Sequence, residues 1–453
     1  MGELMLERGF FTNDPFSFTR PDQPILLTEW GSRVLYALVH GVAGLTGVAL
    51  FGGLLIGTAC ALLVLFLKRR GADPLLAYLS AMVAAVLTQA HWLARPHLFS
   101  LVGCALLLFL LEPGGRRHIW WYAALFAAWA NLHGGFVLGL VLIATCLAGA
   151  LLEAWSDGDR RAYWLDRARW YAAGLVVATL ASFVNPQGPL LLVHIAELLG
   201  NTDLTSTTSE FMSPNFHALW SRLFIVAVAG IMVVLALVPR RPAMPRLLVL
   251  LLMFAGALIA RRNISLFGII AVPLVALHAD AAWRAIAWPR LRRMRRVVES
   301  GESVARPGLW LPVPLAAVVV LAVVRGSIAG TELVPNRFDP AVFPVEAVAA
   351  AREAGIEGRI LNSFTWGGYI VYAWPEQKIF IDGMTDYFGS DIHGDYVKLT
   401  QLDAGWQETL ERWSIDRVLL PPDARLVHQL RREPGWTTWH EDETAVLLVR
   451  DPG

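Results

Sequence analysis

Against a strongly apolar background, a few polar side chains are of types that do chemistry together. Glu29, Glu210 and Asp14 are carboxylates able to take a proton from an acceptor group. Arg95, Arg261 and Arg262 carry guanidinium groups, which bind phosphate oxygens bidentately and stabilise a departing phosphate or pyrophosphate. His97, His133 and Asn131 stand near them, at the ends of apolar runs. Such a cluster suits the phosphate of a lipid carrier. Each residue also has a plainer reading. Asp14 in Asn13-Asp14-Pro15 equally forms an Asx-type turn, Arg95 and Arg261 can snorkel to a membrane surface, and lone histidines at such ends often serve as structural hydrogen-bonding groups. His91 and His97, six apart across Pro96, lack the helical spacing of a metal pair. No metal ligands are assigned, and the cofactor stays open, a divalent metal being possible.

The elements that must position these groups are apolar. Hydrophobic residues make up 56% of the 453 and charged residues 17%, which points to a bilayer rather than water as the solvent. The three cysteines all fall inside apolar runs, so neither a disulfide framework nor a zinc motif is implied. A net charge of +1, with arginines in short clusters, argues against a nucleic-acid partner. Runs approaching the ~20 residues that cross a bilayer occur at residues 45–67, 75–92, 98–111, 119–130, 136–152, 170–184, 219–238, 247–260, 264–277 and 309–324. The arginine clusters in alternate loops then share one side, which the positive-inside rule makes cytoplasmic. The polar candidates and everything after Gly326 lie on the other side.

This parity predicts an α-helical polytopic membrane bundle of about ten spans followed by a small extracytoplasmic α/β domain. Residues 1–44 form an outer first-loop segment, 45–326 the membrane domain and 327–453 the soluble domain. The expected localisation is a cytoplasmic membrane, bacterial and inner by the resemblance described below, with membrane lipids as partners. The 119–130 run, ~18 Å of helix, is too short to span alone. It pairs with 136–152 around a sunken Asn131-Leu132-His133-Gly134-Gly135 tip, because irregular backbone at membrane depth must line protein or a water-filled cavity. Residues 1–44 have no preceding span to carry them outside. Either a helix upstream is expected or the amphipathic run 30–42 inserts unusually.

The segment from Asp14-Pro15-Phe16-Ser17-Phe18-Thr19 to Glu29-Trp30, with Ala94-Arg95-Pro96-His97-Leu98-Phe99 and Trp129-Ala130-Asn131-Leu132-His133-Gly134, resembles the GT-C superfamily of polytopic membrane glycosyltransferases. This includes the dolichyl-phosphate-mannose mannosyltransferases and the oligosaccharyltransferases. The resemblance implies a polyprenyl-phosphate-linked sugar as donor, a glycan, lipid or protein acceptor, inverting hexosyl transfer at the outer face and a first-loop carboxylate. In those enzymes the catalytic aspartate directly follows the first span, so Asp14 does not simply inherit that role, and the base is Glu29, Glu210 or an upstream aspartate. Thr208-Ser209-Glu210 resembles their short acidic outer-loop motif. Phe364-Thr365-Trp366-Gly367-Gly368-Tyr369 is similar to their Trp-Trp-Asp-Tyr-Gly acceptor motif, with Gly367 in place of its aspartate.

In the soluble domain, strands are expected at residues 359–363, 378–381, 417–420, 437–440 and 445–450, and helices at 368–373, 405–413 and 424–432. Ligands of a parallel α/β sheet gather beyond the strand ends, so Trp366, Asp382 and Asp386 form a candidate acceptor surface. Equally, the aspartates cap a helix and Trp366 packs in the core. Two other functions compete with the transferase. A lipid-linked-glycan transporter predicts broken or charged segments at the bilayer midplane, and the spans have almost none. A non-catalytic scaffold or glycan-binding protein predicts that Arg261 and Glu210 are dispensable.

Overall fold

The computed structural model describes residues 1–21, 23–112, 118–201, 210–304, 327–328, 331–332 and 337–451. Arg116-Arg117, Thr208-Ser209, the 309–324 run, Gly326 and the Asp386 side chain lie outside the described residues. The chain divides into two compact units. One holds Met1–Glu7, Thr28–Leu199 and Thr205–Asn336, the other Arg8–Leu27, Gly200–Leu204 and Arg337–Gly453.

The first unit is helical: α1 (Gly2–Arg8), α2 (Trp30–Arg69), α3 (Pro74–Thr88, extended by a 3-10 turn, Gln89–His91), α4 (Leu98–Leu111), α5 (Trp120–Leu132), α6 (Phe136–Ser156), α7 (Arg161–Ser182), α8 (Leu190–Gly200), α9 (Leu219–Leu237), α10 (Met244–Ile259), α11 (Asn263–Ala285) and α12 (Pro289–Val304). Trp30–Arg69, Pro74–His91, Phe136–Ser156, Leu219–Leu237 and Asn263–Ala285 are long and apolar enough to cross a membrane, and shorter apolar helices accompany them. The protein is a multi-pass membrane protein. Every candidate run before residue 280 falls on a helix, and the short 119–130 and 136–152 runs form separate helices flanking His133-Gly134-Gly135.

Local chemistry sets several boundaries. Asp73-Pro74 starts α3, with the Asp73 carboxylate accepting the Leu76 N–H at 3.2 Å and a proline where no donor is needed. Within α2, Gly44 (φ 58, ψ −155) breaks the helix and separates a short arm from the span. Between helices in lipid, packing replaces water exclusion as the driving force. Leu63, Phe66, Tyr122, Phe126, Phe136 and Tyr171 are fully buried, and Gly103 of α4 lies against the Trp129 ring, where a Cβ would approach to 2.6 Å.

Three arginines that the sequence suggests are topology signals are also held by acids. Glu112 binds Arg246 Nε at 2.7 Å and Nη2 at 3.1 Å. Arg167 lies 3.9 Å from Glu112 and donates to the Leu111 carbonyl at 2.9 Å. Glu153 binds Arg241 at 2.6 and 3.2 Å and also accepts the Met244 N–H. These pairs tie the ends of α4, α6, α7 and α10 together.

Beyond a small hairpin in the first unit, β1 (Ser327–Ile328) and β2 (Thr331–Glu332), the second unit folds around β3 (Ile360–Asn362), β4 (Arg417–Leu420), β5 (Trp436–Glu441) and β6 (Val446–Arg450). Their order is β3-β4-β6-β5. Only β3 and β4 are parallel, and the other pairings are antiparallel. The helices are α13 (Val345–Glu353), α14 (Gly367–Ala373), α15 (Thr385–Gln401), α16 (Trp406–Arg412) and α17 (Arg425–Leu430). Three expectations change. The sheet is mixed and mostly antiparallel, not the parallel sheet whose strand ends gather ligands. Residues 378–381 are no regular strand, since Ile379 bridges to Ile360 on one side and Ser17 on the other. The long helix α15, broken at Gly389 (φ 70), has no counterpart in the sequence reading.

The first-loop segment is divided between the units. Phe16 and Phe18 exchange backbone hydrogen bonds with Ile379 at 2.9 and 3.3 Å, and Thr19 donates to the Phe380 carbonyl at 2.8 Å. Arg20 pairs with Asp391, and Tyr387 donates back to the Arg20 carbonyl at 2.9 Å. Residues 16–19 thus act as an added edge strand. Trp366, Trp374, Ile370 and Leu447 form the core beneath, each large side chain contributing roughly 1.5–3 kcal/mol on burial.

Candidate active site

Around the 3-10 turn after α3, the start of α4, the α5–α6 junction and the start of α11, the first unit collects most of the polar residues singled out above. Glu29 stands just before α2 with φ 58, a left-handed conformation that turns the chain into the helix. Ser32 Oγ donates to the Glu29 carbonyl at 2.8 Å. The Glu29 carboxylate lies 3.5 Å from His133 Nε2 and takes a long 3.5 Å contact from the Gly134 N–H.

The imidazole is fixed from behind. His133 Nδ1 lies 2.6 Å from Ser100 Oγ and accepts the Gly135 N–H at 3.0 Å, while Trp129 Nε1 donates to the same Ser100 oxygen at 2.8 Å. An Nδ1 that accepts a backbone N–H leaves the proton of a neutral ring on Nε2, facing Glu29. Ser100 and His133 are both buried. Glycine is required twice in this corner. A Cβ on Gly135 would stand 2.2 Å from Ser100 Oγ, and one on Gly31 would stand 2.9 Å from the Asn131 carbonyl. Asn131 closes the corner, accepting from Trp30 Nε1 at 2.5 Å and donating to the Ala127 and Val184 carbonyls at 2.7 and 2.6 Å.

The cations come from the segments around Arg95 and Arg261. Arg95 donates to Glu210 Oε1 at 3.0 Å, and its own carbonyl accepts from Tyr36 at 3.2 Å. The backbone N–H groups of Arg261 and Arg262 donate to the Met212 and Glu210 carbonyls at 2.9 and 3.3 Å, so the two segments form one rim. Arg262 stacks on Phe211, 4.8 Å from the ring centroid, and lies within electrostatic range of both Glu210 and Glu29. His97 Nε2 contacts the His91 carbonyl at 2.7 Å, and Ser265 Oγ meets His91 Nδ1 at 3.0 Å. The arrangement brings two carboxylates, three guanidinium groups and a buried histidine into one neighbourhood. Among the described residues, no group of three His, Cys, Asp or Glu side chains is placed to hold a metal.

Other candidates belong to the second unit. The Asp14 carboxylate oxygens accept the Phe16 and Ser17 N–H groups at 3.1 and 3.2 Å, which is the Asx-type turn. Trp366 is buried in the second core, with Nε1 donating to the Val342 carbonyl at 2.9 Å. Asp382 accepts the Met384 N–H at 2.8 Å. Sequence reasoning passed over Ser100, Ser265 and Phe211. Ser100 had a signal, a hydroxyl in an otherwise apolar helix just after His97.

No protein-family model matches the sequence, and no curated protein matches it. Solved structures do match in fold. The Archaeoglobus fulgidus oligosaccharyltransferase AglB, in complex with an inhibitory peptide and a dolichol-phosphate, gives a TM-score of 0.57 at 11% identity over 92% of this chain and 64% of that one. The oligosaccharyltransferase of that organism tethered to an acceptor peptide containing the NVT sequon gives 0.57 at 13% identity over 93% and 64%. The chain shares the fold of these oligosaccharyltransferases. It spans 64% of the length of those oligosaccharyltransferases. ArnT from Cupriavidus metallidurans bound to undecaprenyl phosphate gives a TM-score of 0.49 at 12% identity over 99% of this chain and 91% of that one.

Proposed function

We propose that this GT-C protein transfers a sugar from a polyprenyl-phosphate donor to an acceptor at the outer face of the bacterial cytoplasmic membrane, with inversion at the sugar. The acceptor oxygen or nitrogen attacks the anomeric carbon as the bond from that carbon to the phosphate oxygen breaks. Glu29 takes the acceptor proton. Arg262, with Arg261 and Arg95, receives the negative charge that develops on the departing phosphate. Glu210 holds Arg95 in place rather than serving as base, because its carboxylate is already engaged with that guanidinium. No step is assigned to a metal.

One observation carries the proposal. A carboxylate is aimed by a buried Trp129–Ser100–His133 hydrogen-bond chain in the same neighbourhood as a stacked, half-buried guanidinium. A positioned base contributes typically ~10²–10⁴-fold in rate, and an untethered surface carboxylate would have no use for such support. The positive-inside rule supports the orientation, since this cluster lies at the helix ends opposite the arginine-rich loops. The test is transfer of radiolabelled sugar from polyprenyl-phosphate donors in proteoliposomes, comparing wild type with Arg262→Ala and Arg95→Ala. Loss of donor binding in Arg262→Ala is expected, and full activity in both variants would remove the phosphate assignment.

A further inference from the structure

Helix α12 (Pro289–Val304) follows α11 and carries the densest basic stretch in the chain, Pro289-Arg290-Leu291-Arg292-Arg293-Met294-Arg295-Arg296. At 100° per residue its side chains sort into two arcs. Val297, Met294, Val298 and Leu291 fall on one, with Arg290 of the first turn among them, and Arg292, Arg296 and Arg293 on the other. Leu291 is buried, yet Met294 and Val297 are 52% and 65% exposed, as are Ile286 and Trp288 just upstream at 43% and 59%. The arginines of the opposite arc are exposed.

The helix is held at a fixed place by one residue. Arg295, buried where its neighbours are not, pairs with Asp73 at 3.3 Å, donates to the Arg284 carbonyl at 3.3 Å and to that of Trp283, and lies over the Trp283 ring at 5.0 Å. Asp73 also caps α3 and donates its own N–H to Asp280 at 2.7 Å. A short amphipathic helix is therefore fastened at the arginine-rich ends of α3 and α11, with an uncovered apolar arc and an uncovered basic arc.

We infer that α12 is an interfacial helix that binds anionic phospholipid headgroups. The apolar arc, with Trp288 at its start, enters the acyl boundary, and Arg292, Arg293 and Arg296 reach phosphate groups above it. Charge complementarity selects this occupant. A zwitterionic surface would satisfy the apolar arc but offer no net negative charge to three adjacent guanidinium groups.

The test uses the full-length protein in nanodiscs of phosphatidylcholine with or without phosphatidylglycerol, in a Cys60→Ala background. Nitroxide labels are placed at Met294→Cys and, independently, at Val297→Cys, with Arg293→Cys reporting the opposite arc. The expected result is that phosphatidylglycerol makes the 294 and 297 labels collide preferentially with oxygen, by about 3-fold or more over a nickel chelate, while the 293 label stays open to nickel. Replacing Arg292, Arg293 and Arg296 by Gln should abolish that lipid dependence at 294. Nickel access at 294 and 297 in both lipid mixtures would overturn the inference. So would equal oxygen preference in both, which would leave an interfacial helix without headgroup selectivity.

Discussion

Glu29 Oε1 and His133 Nε2 face each other at 3.5 Å across the start of α2 and the α5–α6 junction. The relationship joins residues over a hundred positions apart, and the imidazole between Glu29 and Ser100 has one orientation available to it. A base held this way is aimed before substrate arrives. Replacing His133 by Ala should therefore lower kcat by ~10²-fold, the scale of a ~1 Å misplacement, with little change in donor KM. Steady-state kinetics in proteoliposomes check this, and a rise in KM at constant kcat would instead make His133 a donor-binding group.

Ser100 satisfies two buried partners at once, accepting from Trp129 Nε1 and contacting His133 Nδ1. Ser100→Ala strands the indole N–H, while His133 Nδ1 keeps the Gly135 N–H, and should cost about 1–3 kcal/mol, read as a lower melting temperature in detergent. Asn185→Ala is the control. The Asn185 side chain hydrogen-bonds the local turn formed by Ser182, Gln187 and Gly188, so transfer should be unaffected.

Glu112 is the acid between Arg246 and Arg167. Glu112→Gln leaves buried guanidinium charge uncompensated and should destabilise by about 3–5 kcal/mol. Combining it with Arg246→Met should recover part of that loss, and thermal unfolding of both variants measures the difference. Additive losses would show that the two side chains are not coupled.

Much of this architecture could be read from the sequence, because helices in a bilayer carry their signal in run length and apolarity. The junction at Asn131–Gly135 was legible too, since a polar, glycine-containing tip between two short runs admits few alternatives. Ser100 and Phe211 were harder, for their roles depend on which helix ends meet. The second unit was the least legible. Asp14 and Trp366 have functional-looking neighbours in sequence, yet one closes a turn and the other fills a core. The pairing of residues 16–19 with Ile379 joins segments more than 350 residues apart, and no local pattern encodes such a contact.

The β5–β6 hairpin supplies a pH prediction. Burial raises the Asp442 pKa, but hydrogen bonds from His440 and from the Ala445 and Thr444 N–H groups outweigh it and hold the folded value below 3.8. A carboxylate lowered on folding stabilises fully above its unfolded pKa, and that contribution is lost as pH falls through the folded value. Asp442→Asn should accelerate hydrogen exchange in the hairpin at pH 6.5. The difference from wild type should shrink at pH values well below 3.8. An unchanged difference across that range would assign the effect to shape rather than charge.

The most direct measurement is single-turnover transfer from a radiolabelled polyprenyl-phosphate sugar in proteoliposomes by wild type, Glu29→Gln and Glu210→Gln. The proposal predicts a loss of about 10²–10⁴-fold in Glu29→Gln at saturating donor, with a smaller, donor-dependent loss in Glu210→Gln through Arg95. Wild-type rates in Glu29→Gln would contradict it.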